Sequence, residues 1–269
     1  MAASQDDYFC SAQTQIYMIH TTPIDRHEVE MMKNVLKWEK KPTLRKVYER
    51  FYNEIIGWIR PEVTGKVVEI GAGIGNFKKM YPKSVSTDIF PTKWVDQVET
   101  AYSLSFEDGT VSHLVLFDVL HHLRFPGSAL KEFERVLVSG GRVIICDPTV
   151  SVLGYLVYGV FHHEPVALFQ DMEWYTPEGV DPDGKYYAAQ GNSYKLFGKS
   201  STYRKILEKE WKIVSVKRYS ALSYVLCGGF SKPSFYPHRF LPYIVSLEKF
   251  FDLIPALFAT RTMVVLEKK

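Results

Sequence analysis

The chain has 269 residues, a formal net charge of +3 and a hydrophobic content of 46%. A chain of this length can bury a sizeable core, so we expect one α/β domain with insertions. Its opposite charges nearly balance and are scattered along the sequence, which gives no electrostatic basis for binding nucleic acid.

The cysteines and the N-terminus favour a cytoplasmic protein. The three cysteines lie far apart and match neither a metal spacing nor a disulfide framework: Cys10, Cys146 and Cys227. Asp6 and Asp7 stand where a secretory signal carries lysines. The most apolar stretch, residues 150–161, is too short to span a bilayer. We therefore expect no spanning segment, while peripheral contact with a membrane stays open.

The first 57 residues are predicted to form an arm and two helices. Residues 1–23 show no clear periodicity, and we expect an ordered arm over the cofactor cleft or, as the alternative, a disordered tail. The spacing of apolar residues predicts a helix from Asp25 to Glu39, with Asp25 as its N-cap. A second helix is predicted to begin after Pro42 and to stop at Gly57.

A glycine-rich turn then follows a short apolar run. Residues 66–70 are typical of a buried parallel strand, and a helical segment is predicted over 76–81. The glycines between them are Gly71, Gly73 and Gly75. Glycine lets the backbone turn sharply and lets a ligand approach closely, and the first N–H groups of a helix can face a polar ligand. This arrangement predicts the first unit of a nucleotide-type site.

The spacing of the glycines separates two kinds of nucleotide site. A dinucleotide fingerprint would need a glycine at position 76, where the chain has Asn76. The next predicted strand, residues 84–90, carries Asp88 at its tip. The two oxygens of a carboxylate there can accept hydrogen bonds from both hydroxyls of a ribose.

The pattern beyond Asp88 departs from a regular alternation of strands and helices. Few residues remain before the strand-like run 94–99, so we expect the second crossover helix to be missing or reduced to one turn. A buried strand is predicted over 111–118, and an amphipathic helix over 128–137. Gly140 and Gly141 are predicted to close that helix before a strand over 142–147.

Two parts of the sequence resemble class I S-adenosylmethionine-dependent methyltransferases. The run EIGAGIG resembles their motif I, and SFEDGTVSHLVLFDVLHHLRFPGSALKEFERVLVSGGRVIICDP resembles their motif II–III region. The likeness covers roughly residues 60–150 and suggests a bacterial small-molecule subgroup similar to UbiE, or "methyltransferase type 11". It implies a Rossmann-like, doubly wound α/β fold whose seven-stranded sheet is mostly parallel, with an antiparallel last strand.

The resemblance also implies how the chain is organised. We expect a single methyltransferase domain over residues 1–269. Its expected parts are an N-terminal arm and helices (1–60), a cofactor-binding core (61–148), and aromatic-rich cap insertions at 149–199 and 222–258.

The resemblance implies S-adenosylmethionine as cofactor and S-adenosylhomocysteine as product. It places Glu69, Gly71, Gly73 and Gly75 at the methionine part, Asp88 at the ribose, and Thr100 with Ala101 at the adenine. The remaining expected cofactor residues are Ala72, Asn76, Ile89, Asp118 and Val119. Thr100 stands where the family usually has an acidic residue, although its oxygen can still accept one hydrogen bond.

The expected chemistry is an in-line displacement on an activated sulfonium, in which the protein aligns the nucleophile and excludes water. A base is needed only where the acceptor must lose a proton. His121 and His122 follow the fourth strand, and an imidazole that titrates near neutrality suits a base. We expect His122, ahead of His121, in that role; the alternative is that both are structural.

We expect the methyl acceptor to bind at the aromatic-rich cap. Its candidate substrate residues are Tyr158, His162, His163 and Trp174. Adjacent histidines in an extended segment point to opposite sides, so we expect no metal. Since ligand sites are mostly apolar, the cap favours a small hydrophobic or aromatic acceptor, with O-methylation slightly favoured.

Other classes of function remain open from the sequence. One alternative is a non-catalytic binding module of the same fold that exposes the C-terminal apolar helix to a partner or a membrane surface. Another is an NAD(P)-dependent reductase. We expect the protein to act on a small-molecule substrate as a monomer or homodimer.

Overall fold

The computed structural model describes residues 23–160, 165–168 and 170–269. Almost all of the predicted arm lies outside the described residues, as do the candidate substrate residues His162 and His163. Within the described ranges, no helix has both the length and the apolar character needed to cross a bilayer.

Seven strands form one mixed sheet in the order β3-β2-β1-β4-β5-β7-β6. They are β1 (Lys66–Ile70), β2 (Val85–Asp88), β3 (Gln97–Val98), β4 (Val111–Phe117), β5 (Leu137–Pro148), β6 (Trp211–Tyr219) and β7 (Arg261–Lys268). The first five strands pair in parallel, and β7 is antiparallel to both of its neighbours. This confirms the predicted Rossmann-like sheet. The strand order reverses between β1 and β4, and open sheets of this kind bind ligands beyond the carboxyl ends of their strands at such a point.

Ten α-helices and two short 3-10 helices lie in the described part of the chain. The α-helices are α1 (Pro23–Lys40), α2 (Pro42–Ile56), α3 (Asn76–Met80), α4 (Pro126–Val136), α5 (Val152–Val160), α6 (Asn192–Phe197), α7 (Thr202–Glu210), α8 (Leu222–Cys227), α9 (Leu241–Phe251) and α10 (Pro255–Phe258). The 3-10 helices span Leu120–His122 and His238–Phe240.

Alternate residues of the strands feed two apolar cores, one on each face of the sheet. In β4, Leu114 and Leu116 pack in the core that contains α4 and α7, whereas Val115 and Phe117 pack in the core that contains α2 and α8. Successive side chains of a strand point to opposite faces, so this buried strand is apolar along its length.

The link between β2 and β3 is short, as predicted from the few residues between Asp88 and the next strand-like run. Residues 89–96 contain no helix, and β3 has only two residues. Asp96 ties this link down: its Oδ2 accepts a hydrogen bond from Ser86 N at 2.8 Å, and its carboxylate pairs with Lys78.

The predicted boundary between α4 and β5 was wrong. Helix α4 ends at Val136, and Leu137 already pairs with Val111 of β4. Gly140, at φ +73°, lies inside β5 where the register with β4 shifts. The two glycines therefore form an irregularity within a strand rather than the end of a helix.

Candidate active site

The turn between β1 and α3 is built by glycines with positive φ. At Gly71 (φ +70°) an added Cβ would lie 2.5 Å from Cγ2 of Val119, so the turn and the segment after β4 are in close contact. At Gly73 (φ +54°) the only atom of the described residues within 4 Å of an added Cβ is Sδ of Met31, at 3.9 Å. The backbone at Gly73 is therefore open to close approach by a ligand.

Asp88 lies directly beside this turn. Its Oδ2 accepts a hydrogen bond from Gly73 N at 3.0 Å, and its Oδ1 accepts one from Phe90 N at 3.3 Å. The carboxylate is buried at the tip of β2. The structure thus brings together the glycine turn and the acidic strand tip, which the sequence predicted to share a site.

Glu69, at the end of β1, is a buried carboxyl group with an unused acceptor. It is 3% exposed, and its Oε2 has no hydrogen-bond partner among the described residues. Burial, together with the negative charge of Asp88, raises the pKa of Glu69 well above its ordinary value. A group of this kind is stabilised by a cation placed beside it.

Thr100 meets a carboxylate from the cap. Its Oγ1 donates a hydrogen bond of 2.5 Å to Oδ2 of Asp183, and burial raises the pKa of Asp183. Ala101 next to it is buried in the core that contains α4. The carboxyl group of Asp183 therefore lies beside Thr100, the position at which the family usually has an acidic residue. Sequence reasoning missed Asp183, and the only local signal was its place in the turn-rich run 181–184.

His121 and His122 lie in the 3-10 helix after β4, and their rings are adjacent, with centroids 4.1 Å apart. His121 is buried, and its Nδ1 lies 3.0 Å from Oδ1 of Asp147. His122 is partly buried, and its Nδ1 lies 3.0 Å from the carbonyl oxygen of Tyr187. A carbonyl can only accept a hydrogen bond, so Nδ1 of His122 carries the proton.

Residues 183–189, here called the strap, connect the two ends of this site. Asp183 contacts Thr100 at one end of the strap. At the other end, the ring of Tyr186 lies 5.6 Å from that of His122, and Ala189 N donates to the carbonyl oxygen of His121 at 2.8 Å. The strap thus runs beside the loops at the carboxyl ends of β3 and β4.

Asp118 is held by a residue from the far end of the chain. Its carboxylate forms a two-point ion pair with Arg261 of β7, at 2.6 and 2.9 Å, and its φ is +56°. The guanidinium is buried against the ring of Tyr224, 4.3 Å from its centroid. The carboxylate of Asp118 therefore serves this ion pair, while its neighbour Val119 packs on the glycine turn.

Of the four candidate substrate residues, Tyr158 and Trp174 are described by the structure, and both are packed against neighbouring residues. The hydroxyl of Tyr158 donates to the carbonyl oxygen of Thr260 at 2.9 Å. The ring of Trp174 lies against Gly127 and stacks on Tyr203 with a centroid distance of 5.5 Å. Both side chains are thus held by contacts with neighbouring residues.

One surface cavity lies beside the glycine turn but apart from the other candidate site residues. A surface cavity of about 530 Å³ shares Ile74 with the glycine turn, but its lining contains neither Asp88 nor the histidines. Among the residues that the structure describes, no group of three or more His, Cys, Asp and Glu side chains could hold a metal ion.

Comparison with known proteins relates the central part of the chain to a family. The sequence profile of the family described as "Methyltransferase domain" matches residues 68–145, which span β1 to β5. No curated protein sequence matches the chain.

Solved structures share the fold at low identity. A SAM-dependent methyltransferase from Thermotoga maritima, described as a possible histamine N-methyltransferase, is 16% identical with a TM-score of 0.50, covering 89% of this chain and 99% of its own. The methyltransferase in a complex with the Trm112 methyltransferase activator of Haloferax volcanii is 11% identical with a TM-score of 0.50, covering 92% of this chain and 97% of its own. These likenesses concern the fold.

S-adenosylmethionine carries cationic ammonium and sulfonium groups, a ribose and an adenine. The residues present fit such a ligand, since the unpaired oxygen of Glu69 suits a cation and the open backbone at Gly73 allows close approach. Asn76, rather than the glycine of a dinucleotide site, begins α3. Residues 68–145 thus match a methyltransferase domain, and the seven-stranded sheet around them has the Rossmann-like fold of methyltransferases that depend on S-adenosylmethionine.

Proposed function

We propose that the protein transfers the methyl group of S-adenosylmethionine to a small hydrophobic or aromatic acceptor, with an oxygen atom as the favoured position. The observation that carries this proposal is the 3.0 Å contact between Nδ1 of His122 and the carbonyl oxygen of Tyr187. This contact supports a neutral ring at His122 with the proton on Nδ1, beside the strap and next to the aromatic ring of Tyr186. The resemblance to the UbiE-like small-molecule subgroup supports the class of acceptor.

The donor is proposed to lie along the carboxyl ends of β1 to β4. Glu69 and the backbone at Gly73 would face the methionine part, Asp88 the ribose hydroxyls, and Thr100 together with Asp183 the adenine. The remaining wall would be formed by Gly71, Ala72, Gly75, Asn76, Ile89, Ala101, Asp118 and Val119. Since the carboxylate of Asp118 pairs with Arg261, this residue would offer its backbone.

The base is proposed to be Nε2 of His122. When Nδ1 carries the proton, the lone pair of the neutral ring lies on Nε2, which can accept the proton of an acceptor hydroxyl. When bound, S-adenosylmethionine would supply a methyl group activated by its sulfonium, which the acceptor oxygen would take up while Nε2 of His122 holds the proton. His121, buried and bonded to Asp147, would position its neighbour.

The acceptor is proposed to lie under the cap. The rings of Tyr158 and Trp174 would form walls there, with His162 and His163 as further substrate residues. We propose that the protein acts in the cytoplasm, as a monomer or homodimer.

Transfer of labelled methyl groups to phenols, aliphatic alcohols and amines tests this proposal. We expect phenols or alcohols to be methylated, and His122→Gln to lower kcat by about 10²–10⁴-fold while leaving donor affinity unchanged. The matched variant His121→Gln should have a smaller effect on kcat. Methylation of amines alone, or an undiminished kcat in His122→Gln, would overturn the assignment of the base.

A further inference from the structure

Helix α9 has an inverted distribution of polar and apolar side chains. Its one acidic residue, Glu248, is 5% exposed, pairs with Arg50 at 2.8 Å and accepts a hydrogen bond from Ser223 N at 2.7 Å. Its opposite side presents large apolar side chains to solvent: Tyr243 is 72% exposed and Phe250 is 65% exposed. A surface helix of a soluble domain normally shows the reverse distribution.

The exposed apolar surface continues beyond α9. Leu253 is 75% exposed in the link to α10, and Leu257 is exposed on α10 itself. Helix α10 lies beside the start of α5, since Ser151 Oγ donates to the carbonyl oxygen of Leu257 at 3.1 Å. We call this surface the apolar face; its exposed residues are Val152, Tyr155, Leu156, Tyr243, Leu247, Phe250, Leu253, Ile254 and Leu257. Contiguous exposed apolar surface of this kind marks an interaction site.

The exposed charges of the segment that carries α9 and α10 have one sign. Every charged side chain in the exposed class between residues 229 and 258 is basic: Lys232, Arg239 and Lys249. The two acidic groups of this segment are satisfied internally, Glu248 by Arg50 and Asp252 by Ser220 N at 2.7 Å. A basic rim around aromatic and aliphatic side chains is complementary to anionic headgroups above an apolar layer.

We propose that the apolar face docks the protein onto the surface of an anionic lipid bilayer. Phe250, Leu253 and their neighbours enter the interface, while Arg239 and Lys249 contact lipid phosphates. A second copy of the chain fits the face less well, because two-fold symmetry would bring the same basic rim against itself. This inference rests on the face alone and does not depend on the proposed acceptor.

The apolar face lies at the same edge of the sheet as the candidate active site. Helix α10 ends just before Arg261, which pairs with Asp118 beside the glycine turn. Helix α5 follows the carboxyl end of β5, where Asp147 contacts His121. Docking through this face would therefore bring the site close to the bilayer, from which an apolar acceptor could enter.

Sedimentation of the full chain with vesicles tests this proposal. Vesicles of phosphatidylcholine with phosphatidylserine should bind the protein, vesicles of phosphatidylcholine alone should bind it more weakly, and salt should reduce the difference. Phe250→Ser with Leu253→Ser should lower binding at least tenfold, and Lys249→Glu at least about fivefold. The matched controls Val98→Ser, an exposed apolar residue of β3, and Lys131→Glu on α4 should bind like the wild type.

Light scattering and methyl transfer separate the other outcomes. We expect a monomer in solution and unchanged methyl transfer to a water-soluble acceptor in the Phe250→Ser, Leu253→Ser variant. Absence of binding to anionic vesicles, or equal binding by this variant, would overturn the proposal. A homodimer that dissociates on these substitutions, without vesicle binding, would assign the face to self-association instead.

Discussion

The backbone N–H of Gly73 donates a hydrogen bond to Oδ2 of Asp88 across 3.0 Å, which joins the glycine turn after β1 to the tip of β2. Because the second oxygen of Asp88 is also held, by Phe90 N, both oxygens have fixed orientations before any ligand arrives. The proposed donor site is therefore pre-organised, and binding would not need to reorder this carboxylate.

Glu69→Gln should affect stability and donor affinity in opposite directions. Because the folded-state pKa of Glu69 is raised above its unfolded value, the stability that it contributes is fully present below the unfolded pKa and is lost as pH rises through the folded pKa. At neutral pH the variant should be more stable by roughly 1 kcal/mol or more. It should bind S-adenosylmethionine about 10–100-fold more weakly, because it loses the charge that faces the cation.

Urea unfolding at several pH values and calorimetric titration measure the two effects, with Glu107→Gln on an exposed loop as the control. The stability difference between Glu69→Gln and the wild type should grow with pH. Equal donor affinity in the two proteins would contradict a role for Glu69 at the donor.

Asp183→Asn should change the recognition of the donor's base. A carboxylate can accept a hydrogen bond from the amino group of adenine but repels the oxygen that replaces it in hypoxanthine. The wild type should therefore prefer S-adenosylhomocysteine over S-inosylhomocysteine by about 10–100-fold. Asp183→Asn should largely abolish this preference, whereas Asp181→Asn in the same loop should keep it. An unchanged preference in Asp183→Asn would remove Asp183 from the site.

Gly71→Ala should destabilise the protein more than Gly109→Ala. The two glycines have similar φ values, +70° and +63°, so both substitutions carry the left-handed backbone cost of about 1–2 kcal/mol. At Gly71 the new Cβ also meets a side chain, Val119, while at Gly109 no atom of the described residues lies within 4 Å. Urea unfolding should show an extra cost of about 1–3 kcal/mol at Gly71, part of which Val119→Ala restores. Equal costs would show that the contact with Val119 is unimportant.

Asp118→Asn should be more destabilising than Arg261→Met. Asparagine tolerates the positive φ of this position, so the substitution mainly removes charge. It leaves the guanidinium of Arg261, which is 1% exposed, without a counter-ion, at a cost of about 3 kcal/mol. The side chain of Asp118 is 27% exposed and can be hydrated when Arg261 is absent. Chemical denaturation of the single and double variants measures this, and strictly additive costs would contradict a coupled pair.

Much of the fold follows from local sequence. The apolar run before Gly71, the three close glycines and the helix after them lie within one short stretch, so spacing alone predicts the strand, turn and helix. The few residues after Asp88 leave no room for a crossover helix, and none is present.

Other features depend on contacts that spacing does not encode. Asp183 lies 83 residues from Thr100, and Arg261 lies 143 residues from Asp118. Gly140 and Gly141 predict a helix end because glycine is common there, whereas pairing with β4 extends β5 through them. Helix α9 carries apolar residues on every side, so its pattern predicts a helix but not which side is buried.

Calorimetric titration with S-adenosylhomocysteine tests most directly whether the glycine turn and Asp88 hold the donor. The wild type should bind one equivalent. Asp88→Asn, which can still accept the hydrogen bond from Gly73, should bind at least tenfold more weakly, and Asp88→Ala weaker still. Asp108→Ala, an exposed carboxylate at the opposite edge of the sheet, should bind normally. No binding by the wild type, or equal binding by the Asp88 variants, would contradict the account.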